Sequence, residues 1–138
     1  TGKIESMDAK QKLLLDLEIL NRAETRAENL RKQLMDYTDK ESSIRSRLEQ
    51  IEYDIRPEVI ERSAATIGSL RPEEVRENKR KSLESERSRL TEQLSQIQAS
   101  RGNMQSSLQN ADLLVDKLRI KLDKAIDEQL DDTSPKKP

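Results

Sequence analysis

From Lys3 to Ile55 no proline or glycine interrupts the chain, and apolar residues recur at mixed spacings of three and four. That period puts them on one stripe of an α-helix, the mark of a single buried seam. The seam reads Leu13, Leu17, Leu20, Ala23, Ala27, Leu30, Leu34, Tyr37, Glu41, Ile44, Leu48, Ile51 and Ile55, with Glu41 its one charged member. Two successive steps of three around Leu20 break the heptad and predict local overwinding. A second stripe follows Pro72 in strict alternation of four and three: Leu83, Arg87, Leu90, Leu94, Ile97, Arg101, Met104, Leu108, Ala111, Val115, Leu118, Leu122 and Ala125. Gly102 lies inside this stretch at a cost of roughly 1 kcal/mol relative to Ala, which a long packed helix tolerates.

Proline disfavours α conformation in the residue before it, so Pro57 and Pro72 put chain breaks at Arg56 and Arg71. Between them, Pro57 suits the first position of a helix and Gly68 the position just past its end, which predicts a short helix of about three turns. The pattern therefore divides into a first arm over 3–55, a tip over 56–71, a second arm over 72–130 and a tail over 131–138. The tail, DDTSPKKP, has no apolar residue and two prolines, so disorder is expected there.

If the arms fold back on each other, facing residues carry numbers that add to a constant. A sum near 131 brings the seams together: Leu13 faces Leu118, Leu20 faces Ala111, Ala27 faces Met104 and Leu48 faces Leu83. In that register the seam charges Arg101, Glu41 and Arg87 stand beside Leu30, Leu90 and Ile44, where long arginine stems cover apolar surface. A slide of seven residues keeps any heptad pattern in phase, so a neighbouring register is the natural competitor. The fold expected is all-α, a long antiparallel coiled-coil hairpin with a short helical tip.

Composition agrees. Charged residues make up 38% of the 138-residue chain, the hydrophobic set 32% and aromatics 1%, too little apolar surface to fill a spherical core. The 26 basic and 27 acidic residues nearly cancel, which gives no electrostatic case for a nucleic-acid partner. The densest apolar run, Leu13 to Leu20, holds two acids and is much shorter than the ~20 residues of a bilayer span, so no membrane insertion is expected. Thr1 in place of an initiator Met fits a mature extracytoplasmic form, secreted or periplasmic, or a piece of a longer protein.

With no His and no Cys, the commonest general base, the thiolate nucleophile and the usual zinc ligands are missing. The three glycines lie far apart and no phosphate-binding loop can be read. A Ser-Lys dyad drawn from Lys79, Lys81, Ser82 and Ser85 would sit on a solvated helix face with nothing to perturb the lysine. The acids Asp127, Glu128, Asp131 and Asp132 lack the glycine and ligand spacing of a calcium loop and read as a frayed acidic helix end. The basic run Arg76, Lys79, Arg80 and Lys81 is interleaved with Glu73, Glu74, Glu77 and Glu84 and has no aromatic stacking partner, so intrahelical pairing is the better reading. No enzyme, cofactor or metal site is expected.

Two apolar surfaces exceed what the seam requires. At the open end of the hairpin, Leu15, Ile19, Leu113 and Ile120 lie off the buried stripe and form the candidate patch for self-association or for a protein partner. At the tip, Val59, Ile60, Ile67 and Leu70 form a candidate contact, or simply cap the hairpin. The function expected is that of a structural or scaffolding coiled coil, a spacer or protein-protein interaction arm, either a homo-oligomer or part of a larger assembly. The alternative is an extracytoplasmic holdase chaperone. In general form the chain is similar to extracytoplasmic coiled-coil arms and to tentacle-like holdases of the Skp type, on shape alone and with no residue carried over.

Overall fold

The computed structural model describes residues 2–68 and 70–133, with side chains for 7–68 and 70–131. Three helices account for nearly all of this: α1 (Gly2–Asp54), α2 (Pro57–Ile67) and α3 (Pro72–Thr133). No strand occurs among the described residues. α1 and α3 pack against each other as an all-α helical hairpin. α3 continues through 131–133, three residues expected to belong to the tail, and 134–138 lie outside the described residues.

The breaks fall where the prolines put them. Arg56 is extended, with φ −60° and ψ 136°, while its carbonyl accepts the first bonds of α2 from the amides of Val59 and Ile60. Pro57, with no N–H to leave unsatisfied and a fixed φ, then opens the helix. Gly68 closes it at φ 64° and ψ 33°, a left-handed conformation that costs a residue with a Cβ roughly 1–2 kcal/mol. The Arg71 carbonyl accepts from the amide of Val75 and starts α3, whose first turn carries Glu73 and Glu74 against the positive end of the helix dipole.

Two compact units divide the chain, one from Thr1–Gln33 with Met104–Pro138, the other from Leu34–Asn103. In the first, Leu20, Ala27, Ala111, Val115 and Leu122 are buried, and Leu13, Ala23, Leu30, Leu108 and Leu118 pack against them. In the second, Ile51, Leu83 and Leu90 form the core with Ile44, Leu48 and Ile55, and Ile51 is fully buried. These are the seam residues, so the stripe and the burial coincide almost position for position.

The register differs from the expected one by a heptad. In the first unit Arg119 pairs with Glu24 and Arg31 with Asp112, each pair adding to 143, while Lys121 and Asp16 add to 137. In the second unit Arg47 pairs with Glu86 on the other flank, adding to 133, and Glu41 meets Gln98 and Arg101, adding to 139 and 142. Flanking pairs straddle the constant for the seam, which is therefore about 138 in both units, one heptad from 131. Within the first unit this register sets Leu20 opposite Leu118, Ala23 opposite Val115 and Ala27 opposite Ala111. Within the second it sets Leu48 opposite Leu90, in place of Leu83, and Ile55 opposite Leu83.

The new register also removes the irregularity around Leu20. Opposite Leu122 stands Asp16, whose side chain is 13% exposed, whereas Leu17 is 43% exposed. The stripe on α1 therefore runs Leu13, Asp16, Leu20, Ala23, in unbroken alternation of three and four. Leu17 was expected in the seam on hydrophobicity alone, but phase with α3 decides, and an acid takes the inner position.

Candidate functional site

Glu41 is the one buried charged residue among those described, at 5% exposure. It holds a seam position of α1, and three side chains converge on it within the second unit. Arg45, one turn further along α1, donates from Nη2 at 2.9 Å and from Nε at 3.2 Å to Oε1. Gln98 of α3 donates from Nε2 to the same oxygen at 3.5 Å. Arg101 Nη1 stands 2.7 Å from Oε2, a charge contact without an aligned hydrogen bond. The Arg45 hydrogen bond, with help from Gln98 and Arg101, holds the carboxyl below the ordinary glutamate range against the opposing effect of burial. Arg101 was expected to lie along Leu30; it reaches the carboxylate because the register is one heptad over.

Three further aspects of the second unit bear on chemistry. Arg80 donates to Glu77 at 2.6 Å and contacts Glu84 at 3.4 Å, and both acids lie on its own helix. Lys79 donates to Ser63 Oγ at 2.6 Å, and Arg76 lies 3.8 Å from Glu61 of α2. Thus each of these three basic residues in the run has a partner. Arg47 makes a two-pronged contact with Glu86, which raises the guanidinium pKa and lowers that of the carboxyl through the same hydrogen bonds.

The candidate tip residues separate into two kinds. Ile60 is buried with Ala64 on the packed face of α2, and Val59 is half-buried beside them. Ile67 is 60% exposed, and Leu70 is fully exposed where the chain enters α3. Ile55, Pro57 and Ile60 line a shallow cavity with Glu61, Glu73, Arg76, Glu77 and Arg80 of the same unit. Both of its arginines are paired within the lining, Arg76 with Glu61 and Arg80 with Glu77.

In the first unit all four residues of the candidate patch are exposed: Leu15 at 56%, Ile19 at 43%, Leu113 at 58% and Ile120 at 68%. They do not share one face. Leu15 and Ile19, a helical turn apart, lie on the flank where Leu114 of α3 stands in register with Ile19. Leu113 and Ile120, two turns apart, line the side of α3 opposite its seam. On the other flank of the seam, where Glu24 meets Arg119 and Arg31 meets Asp112, Leu17 and Ile126 occupy the matching rung, with numbers that also add to 143. Leu14 continues that surface at 66% exposure. Sequence reading found the leucines but grouped them by proximity to the chain ends; the seam phase, once fixed by the ion pairs, sorts them to two flanks and a back.

Among the described residues no three carboxylates, histidines or cysteines are placed to share a metal ion, and no helix is long and apolar enough to cross a membrane. No family model, curated relative or solved structure matches this chain.

Proposed function

We propose that this chain is a non-enzymatic coiled-coil arm that joins or spaces proteins, and that it makes contact through the apolar flanks of its first unit. The observation that carries the reading is the coexistence there of a closed seam with leucines left outside it. Leu20, Ala27, Ala111, Val115 and Leu122 are already buried by the two helices, yet Leu14, Leu15, Leu113, Leu114 and Ile120 are each at least half exposed. Two helices bury one face each, and burial of further apolar area is worth about 25 cal/mol per Å². A second copy of this chain supplies matching surfaces and is the occupant proposed. The absence of His and Cys from the sequence and the partnered state of Arg76, Lys79 and Arg80 favour a protein contact over catalysis or nucleic-acid binding.

Light scattering on the parent and on two variants, one per flank, tests this: Leu15→Glu with Leu114→Glu, and Leu14→Glu with Ile126→Glu. Helicity is expected to persist in both, and the mass of the assembly to fall in the variant whose flank is used. A parent that is monomeric at high concentration rules out self-association. Suppression of client aggregation by that monomer, lost in both variants, then supports the holdase alternative, which the same exposed leucines would serve.

A further inference from the structure

The hydrophobic stripes of α1 and α3 do not by themselves choose between the observed register and its neighbours. A slide of one heptad returns seam to seam, and pairs such as Leu34 with Ile97 or Leu48 with Leu83 are as apolar as those observed. The Glu41 layer is different. In the observed register Arg101 stands four residues beyond the position facing Glu41, within reach of Oε2 at 2.7 Å. One heptad in one direction puts Leu94 in that place, and one heptad in the other puts Leu108 there. Either slide puts leucine in the arginine's place and Thr91 or Gln105 in that of Gln98, and the nearest seam arginine, Arg87 or Arg101, then falls three residues to the other side, where side chains tilted toward their own N-termini lean away from Glu41 and not toward it. Arg87, the other seam arginine of α3, comes to the same place only after a slide of two heptads.

We infer that Glu41, through Arg101 and Gln98, is the register lock of the second unit, a positioning layer that selects this alignment of α1 and α3 over the two alignments one heptad away. A polar group in an otherwise apolar seam sets register at some expense of stability, because an unpaired buried charge penalises each misaligned state more than its pairing rewards the aligned one. This assignment is independent of any role of the first unit's flanks, since every group in the layer lies in the second unit.

The full chain has no cysteine, so introduced pairs report register cleanly. Cysteines at Leu48 and Leu90 report the observed alignment, and cysteines at Leu48 and Leu83 report the slid one. With Glu41 present, the first pair is expected to oxidise to an intrachain disulfide and the second to lag far behind. In Glu41→Leu the preference for the first pair is expected to fall by at least about tenfold, since the slid state no longer buries a lone charge. A second variant moves the lock: Glu41→Leu with Leu34→Glu puts the acid where Arg101 meets it only in the slid alignment, and the Leu48 and Leu83 pair is then expected to gain. A shift in either variant, with helicity retained, supports the assignment. A preference equal to the parent's in both overturns it.

Discussion

Arg101 Nη1 stands 2.7 Å from Glu41 Oε2 on the opposite helix, while Arg45 and Gln98 occupy the other carboxylate oxygen. Glu41, Glu77 and Glu86 all titrate below the ordinary glutamate value, each chiefly through an arginine hydrogen bond, from Arg45, Arg80 and Arg47 respectively. Below about pH 4.3 the unfolded chain takes up protons that the folded carboxylates still refuse. The stabilisation is therefore fully present above that pH and is lost as pH falls toward and through the lowered folded values. Thermal melts from pH 7 down to pH 3 are expected to show a falling midpoint, with a shallower fall in Glu41→Gln. Equal falls in parent and variant would remove Glu41 from the linkage.

Burial separates two residues of similar hydrophobicity. Ile51 is fully buried, and Ile51→Ala is expected to cost about 2–5 kcal/mol, the range for a truncated aliphatic core residue. Leu17 is 43% exposed, and Leu17→Ala is expected to cost less than about 1 kcal/mol. Urea denaturation of the two variants measures both. The opposite order would return Leu17 to the seam and displace Asp16 from it.

Two glycines should respond with opposite signs. Gly68 holds φ 64° at the end of α2, so Gly68→Ala is expected to destabilise by roughly 1 kcal/mol although no atom lies within 4 Å of the added methyl. Gly102 lies inside α3 with equally open surroundings and helical backbone, so Gly102→Ala is expected to stabilise by about 0.5–1 kcal/mol. Both shifts are readable in the same denaturation series.

Helices, breaks and seam were legible because each depends on local chemistry: the period of the leucines, the prolines at 57 and 72, and the glycine at 68. Register was not, because heptad periodicity is blind to a slide of seven residues. The information that fixes it was present in Glu41 and Arg101, two opposite charges at seam positions. Pairing them, rather than giving each a leucine to lie against, gives 142 and excludes a sum near 131; of the two sums left, 138 is the one in which side chains tilted toward their own N-termini lean toward each other. Asp16 shows the complementary limit. Its acidity argued for the surface and Leu17 beside it for the interior, yet the phase set by Leu13, Leu20 and Leu122 admits only residue 16. The candidate patch suffered from the same gap, since assigning Leu15 and Ile19 to one flank and Leu113 and Ile120 to the back of α3 requires the seam phase first.

The interruption at Arg56 leaves α2 facing the first turns of α3, with Ser63 bonded to Lys79 and Glu61 near Arg76, pairs that add to 142 and 137 as the pairs of the long helices do. α2 thus extends the first arm past its proline. For the order of folding this means a zipper. Ile55 and Leu83 enclose a short span of chain, whereas Leu13 and Ala125 enclose nearly all of it, and closure entropy rises with the span enclosed. Pairing is therefore expected to start beside Ile55 and Leu83 and to spread away from them. The exposed leucines of the first unit are then expected to be the last surface to take shape.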